Sequence, residues 1–162
     1  MLGGRRTWIG ALLGVVVAAG VFAVVLVFSG DGGESRTEEA DRAYLEAAHR
    51  IRQLTVAIDR ASEDTSARPA AMAVKFSGFR EVVSFTAERL LTLEGIGPVA
   101  DRGFVLHHSL GIYEYVLGVV ARRAREGDHR LQRLLGEVRK VGVEVRAANA
   151  AWERALEAAL AD

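Results

Sequence analysis

The chain has 162 residues, with 21 basic and 21 acidic side chains and no cysteine. The lack of cysteine excludes disulfides, thiolate metal ligands and cysteine nucleophiles. Arg5 and Arg6 precede an apolar segment and every acidic residue follows it. The rest of the chain is therefore slightly acidic, and nucleic acid is not expected as a partner because a phosphate backbone requires a basic surface.

The segment from Trp8 to Phe28 contains no charged side chain. About 20 apolar residues suffice to cross the hydrocarbon core of a bilayer as a helix, so the segment predicts a transmembrane anchor. Arg5 and Arg6 lie before it, and the acidic residues Asp31 and Glu34 follow it. The positive-inside tendency then places the N-terminus in the cytoplasm and the C-terminal domain outside it.

This interpretation predicts a single-pass protein of the cell membrane with four regions: a cytoplasmic tail (1–7), a transmembrane signal anchor (8–28), a flexible linker (29–35) and an extracytoplasmic helical domain (36–162). An alternative is a cleaved signal peptide with the cut before Gly30. The apolar segment is longer than the ~7 to 15 residues usual for the core of a signal peptide, which favours an uncleaved anchor.

Small residues recur every four positions within the predicted anchor, at Gly10, Gly14 and Ala18. This spacing places them on one helix face, where a second membrane helix can approach closely. They are the predicted packing residues of the membrane helix. The alternative is that Gly and Ala are simply common in such helices.

Four helical segments are predicted beyond the linker, from apolar residues that alternate steps of three and four. They cover about residues 36–62, a stretch from Pro69 to the glycines at 95 and 97, about residues 99–125, and the chain after an Asp128 N-cap. The predicted fold is all-α, an antiparallel up-down-up-down four-helix bundle that follows the anchor. The alternative is an extended helical hairpin completed by dimerisation.

Each segment has a predicted core-facing seam. In the third segment the seam is Val99, Gly103, Leu106, Leu110, Tyr113, Leu117, Val120 and Ala124. In the fourth segment it is Leu131, Leu134, Val138, Val141, Val145, Ala148, Trp152, Ala155 and Ala159.

The third segment is apolar nearly all round, so a second stripe lies opposite its seam. An outward apolar stripe on a bundle helix is typical of a contact with a partner. The predicted partner interface comprises Val105, His108, Ile112, Tyr115, Val116 and Val119. The alternative is that local packing covers this stripe.

A narrower face of the same segment combines two ionisable side chains with two glycines: His107, Gly111, Glu114 and Gly118. Polar groups beside gaps of this kind can line a ligand cavity, so these residues form a possible ligand face. The alternative is that the glycines permit a close helix crossing and that His107 is a hydrogen-bonded packing residue.

Two short motifs resemble parts of known families. Glu46 and His49 have the ExxH spacing of the di-iron sites of ferritin-like bundles, which would imply metal binding. A helical wheel directs both side chains away from the core, however, and the second inward ExxH that this family needs is missing.

The turn Gly95, Ile96, Gly97 and Pro98 resembles the hairpin of helix-hairpin-helix DNA-binding motifs, which would imply contact with a backbone phosphate. Asp101 stands where that family usually has alanine.

No catalytic motif was found, so neither an enzyme nor a cofactor nor a metal site is predicted. The predicted function is a membrane-anchored, non-enzymatic interaction or self-assembly module of the cell envelope, whose partner is another protein or a second copy. One alternative is a small-ligand sensing domain, because chemoreceptor-type four-helix bundles have a similar architecture. A further alternative is a membrane-anchored DNA-binding protein that uses the helix-hairpin-helix-like turn.

Overall fold

A computed structural model describes residues 38–64, 66–91, 98–127 and 130–161, with side chains from residue 42 onward. These residues belong to one compact unit, Gly32–Asp162. The predicted anchor with its packing residues Gly10, Gly14 and Ala18, the linker, the turn at Gly95–Gly97 and the Asp128 cap lie outside the described residues.

The described residues form four α-helices. They are α1 (Glu38–Glu63), α2 (Pro69–Leu90), α3 (Pro98–Arg125) and α4 (Leu131–Ala161). The prediction of an all-helical fold with four packed helices is confirmed.

The helix ends follow from the local sequence. Pro69 is the first residue of α2, a position where the missing amide proton of proline leaves no hydrogen bond unmade. After α3, Gly127 adopts a φ of 68°, and its amide donates to the carbonyl of Ala124 at 3.3 Å. Glycine reaches this left-handed conformation without steric cost, so α3 ends in a tight turn.

The helices pack closely in three pairs, α2 with α3, α3 with α4, and α1 with α4. Between α2 and α3, His107 contacts Ala87 and Arg125 contacts Ser77. The residue number falls along α2 as it rises along α3, so these two helices are antiparallel. The helices α3 and α4 are also antiparallel, because only the short segment 126–130 joins them.

The helices α1 and α4 are held together by polar contacts. The Asn149 side-chain amide donates to the carbonyl of Ala48 at 2.8 Å, and Asp59 forms an ion pair with Arg146. Both bonds cross between the two helices, and their order along the chain makes this pair antiparallel as well. Directional bonds of this kind select one register, which apolar packing alone specifies less strictly.

The core confirms the predicted seam of α3 in full, since all eight residues are buried. The seam of α4 needs correction at four places. Leu135, Gly142 and Leu156 are buried, where Leu134, Val141 and Ala155 were predicted, and Ala159 is exposed. The predictions at 134, 141 and 155 are each one residue early. A helix that packs on both α1 and α3 buries a broader face than a strict heptad stripe describes.

Gly142 is buried where Val141 was predicted, and the reason is steric. A Cβ at position 142 would lie 2.9 Å from Asp59 Oδ1 and 3.1 Å from the Tyr113 hydroxyl oxygen. The glycine therefore leaves room for side chains from α1 and α3 to meet beside α4. A larger residue at this point would push the three helices apart.

Tyr113 is fully buried at this junction. Burial, together with the nearby negative charge of Asp59, raises the pKa of the Tyr113 hydroxyl well above its usual value, although Arg146 opposes the shift. The phenol therefore stays neutral at physiological pH. Neither the Tyr113 hydroxyl nor Asp59 Oδ1 has a hydrogen-bond partner among the described residues.

This packing predicts opposite effects for two glycine substitutions in α4. Gly142→Ala forces a methyl group against Asp59 and Tyr113, and we expect it to lower the free energy of unfolding by about 1–3 kcal/mol. Gly136→Ala is the matched control, because a Cβ there meets nothing within 4 Å. We expect the control to stabilise the fold by about 0.5–1 kcal/mol through helix propensity. Urea unfolding of the full-length protein in mild detergent, followed by circular dichroism, measures both, and equal shifts would contradict the packing described.

Candidate interaction surface on the third helix

The side of α3 that faces away from its seam exposes several large apolar side chains. Tyr115 is 72% exposed, Phe104 67%, Val105 47% and Ile112 40%. His108 lies among them and is also exposed. We call these five residues the outward face of α3. They follow the spacing of one helix face, so they form a continuous strip and not scattered surface residues.

The outward face overlaps the predicted partner interface but differs from it at three positions. Val116 and Val119 are half-buried, so they lie at the margin of the strip. Phe104 belongs to the face although it is not one of the predicted interface residues. It stands four residues before His108, so the helical spacing alone identifies it once Gly103 is assigned to the core.

By length and composition, α3 is the one helix among the described residues that is long and apolar enough to cross a membrane. About a third of its most apolar window is buried within the protein. The composition reflects two apolar faces on one helix, namely a buried seam between α2 and α4 and the exposed outward face.

Charged residues border the outward face at its two ends. Asp101 is exposed in the first turn of α3, and Arg122, Arg123 and Arg125 are exposed in the last turn. Each sign suits the helix dipole at its own end, since the N-terminus attracts negative charge and the C-terminus positive charge. Arg102, which is also exposed, stands beside Asp101 but off the strip, so the strip itself runs from the acidic Asp101 to the basic Arg122.

The predicted ligand face packs against α2 within the chain. The amide of Leu91, just after α2, donates to the carbonyl of Glu88 at 3.2 Å and not to that of Ala87, the usual partner four residues back. His107 Nδ1 lies 2.7 Å from the Ala87 carbonyl oxygen and donates a hydrogen bond to it. His107 therefore satisfies a carbonyl at the C-terminus of α2 that the helix itself leaves open.

The other residues of the predicted ligand face differ in their surroundings. Glu114 accepts a hydrogen bond from Arg80 Nε at 3.3 Å. A Cβ at Gly118 would lie 3.3 Å from the Cδ of the same arginine, so this glycine makes room for the Arg80 side chain. Gly111, in contrast, is exposed and a Cβ there would meet nothing within 4 Å. The structure thus brings His107, Glu114 and Gly118 together along α2 and leaves Gly111 at the surface.

The residues of the ExxH spacing both lie on the surface of α1. Glu46 accepts from Arg50 at 3.3 Å, and His49 Nε2 lies 2.9 Å from Gln53 Nε2. Within the described residues, no group of three or more histidine, aspartate or glutamate side chains is placed to hold a metal ion. Glu46 and His49 therefore make the contacts that are usual between side chains one turn apart on a solvated helix face.

No protein-family model, curated protein or solved structure matches the chain.

The contact between His107 and α2 predicts a stability difference between two histidines. We expect His107→Ala to lower the free energy of unfolding by about 1–2 kcal/mol, because the carbonyl of Ala87 loses its partner in a half-buried position. His49→Ala is the control, since His49 is exposed and its ring nitrogen lies beside Gln53 on its own helix. Its effect should stay within about 0.5 kcal/mol. Urea unfolding compares the two variants, and an equal cost would show that the His107 bond contributes little.

Proposed function

We propose that this chain is a non-enzymatic helical module that assembles with a second copy of itself through the outward face of α3. In this proposal, residues 8–28 anchor the module in the cell membrane, the N-terminus is cytoplasmic and the helical domain lies outside the cytoplasm. The four helices supply a rigid support, and α3 supplies the contact.

The observation that carries the proposal is the exposure of two aromatic and two aliphatic side chains on one side of α3. An aromatic side chain removes roughly 150–250 Å² from water when it is fully buried, and apolar burial contributes about 25 cal/mol per Å². Covering Tyr115 and Phe104 would therefore contribute several kcal/mol before the entropic cost of association. When these side chains stay exposed to water, this free energy is not gained.

A second copy is the occupant that the charges favour. The outward face is flanked by the exposed Asp101 at one end and by the exposed Arg122 at the other. The neighbouring arginines are engaged within the chain, Arg123 with Glu126 and Arg125 with Ser77. A strip with this polarity complements itself when two copies run in opposite directions, so no separate partner is needed to neutralise it. The slightly acidic balance of the chain beyond Arg6 agrees with a protein partner better than with nucleic acid.

Support for the membrane location comes from the sequence of residues 8–28, which is long enough and apolar enough to span a bilayer. The basic residues before this segment and the acidic residues after it set the proposed orientation. An anchor of this kind confines the module to two dimensions, which raises the effective concentration of one copy for another. Confinement therefore adds to the affinity that the outward faces themselves supply.

The proposal predicts that a charge in the middle of the outward face abolishes assembly. Ile112→Glu places a carboxylate where two apolar surfaces meet, and we expect the detergent-extracted full-length protein to change from dimer to monomer in native mass measurement. Helicity should be unchanged, because Ile112 lies outside the core. Val116→Glu is a less selective test, since Val116 is half-buried.

Val74→Glu is the matched control, because Val74 is a β-branched residue of α2 that is 75% exposed. It adds the same charge on another helix and should leave the dimer intact. If Ile112→Glu remains a dimer, assembly proceeds through another surface, such as the predicted anchor seam at Gly14. If the unaltered protein is already a monomer, self-assembly itself is wrong.

A further inference from the structure

The positions on the outward side of α3 have a symmetric spacing. Eight positions from Asp101 to Arg122 follow one another along this side in steps of 3, 4, 3, 1, 3, 4 and 3 residues. Val105, the remaining member of the outward face, has its symmetric counterpart at Gly118. The centre of this series falls between Gly111 and Ile112. A strip whose spacing reads the same in both directions can pair with a copy of itself that runs the opposite way, position for position.

The side chains at paired positions are complementary. Asp101 would face Arg122 of the other copy, so the charged ends attract. Phe104 would face Val119, which joins a large exposed side chain to a smaller half-buried one. A parallel pair would instead place like charges opposite each other at both ends, which costs free energy.

The centre of the strip permits the closest approach. Gly111 is exposed, and a Cβ there would meet nothing within 4 Å in its own chain. In an antiparallel pair this open position lies opposite Ile112 of the other copy, whose side chain is 40% exposed. His108 then faces Tyr115, so a ring lies opposite a ring on each side of the centre.

We infer that two copies of this chain pair through α3 in antiparallel orientation, with the twofold axis between Gly111 and Ile112. This inference rests on the proposed self-assembly and adds the orientation and the register. Each copy contributes the same strip, and the interface closes on itself as a dimer with no open end.

Cysteine cross-linking tests this register directly, because the chain has no native cysteine. The variants are Phe104→Cys, Val119→Cys and the double variant, each made in the full-length protein, extracted in mild detergent and oxidised with copper phenanthroline. Positions 104 and 119 lie ~22 Å apart along one helix at 1.5 Å per residue, so they cannot join within a chain. Native mass is measured on each variant before oxidation to confirm its assembly state.

The antiparallel register predicts a definite pattern on non-reducing gels. Each single variant should remain almost entirely uncross-linked, and the double variant should become almost entirely a cross-linked dimer. An equal mixture of the two single variants, after exchange of subunits, should cross-link up to half of the protein, because half of the pairs then combine one chain of each kind. A second double variant, Val74→Cys with Val143→Cys, places two cysteines on exposed positions of α2 and α4 and should give no such dimer.

Other outcomes overturn the inference in distinguishable ways. Efficient cross-linking of each single variant to itself would show a parallel pair and would leave the proposed function standing. A native dimer that never cross-links at these positions would overturn this register, and the Ile112→Glu variant would then show whether the outward face of α3 is the interface at all. A monomer in every native mass measurement would overturn the proposed function together with the register.

Discussion

The structure depends on the burial of one face of α3 between α2 and α4. Leu106, Leu110, Tyr113 and Leu117 follow one another along this face, and all four are fully buried. Since α1 packs closely on α4 and α2 packs closely on α3, the contact between α3 and α4 links the two halves of the domain. Burial of large apolar side chains is the main favourable contribution to folding, so loss of this seam would separate the helices.

A second constraint comes from the polar side chains that meet where α1, α3 and α4 come together. The Asp59–Arg146 ion pair and the buried Tyr113 hydroxyl surround Gly142. The ion pair joins α1 to α4, whereas the Tyr113 hydroxyl and Asp59 Oδ1 have no hydrogen-bond partner among the described residues. At Tyr113 it is therefore the close packing of the buried ring that restrains α3. This junction fixes the rotation of α3 about its own axis. The same rotation directs Tyr115 outward, so packing in the core determines which face of α3 remains exposed.

Apolar periodicity predicts most of this fold. The seam of α3 matches the buried residues throughout, and the buried face of α2 ends at Leu90, close to the predicted stop. The seam of α4 departs from prediction at this position because an apolar heptad pattern assigns Val141, and not Gly142, to the core. Hydrophobicity cannot indicate that a glycine is buried to make room for side chains from two other helices. That position depends on residues far away in the sequence.

The candidate interaction surface was likewise predicted only in part from the sequence. Helical spacing in the sequence is enough to predict four helices, an apolar third helix and the stripe around Ile112, because this spacing fixes which residues share a face. It also assigned His107 and Glu114 to one polar face of that helix. Tertiary packing places this polar face along α2, where His107 donates to the Ala87 carbonyl, and it leaves the side of α3 opposite the seam exposed. Which of two apolar faces a helix buries is set by the shape and polar groups of its neighbours, which lie elsewhere in the chain.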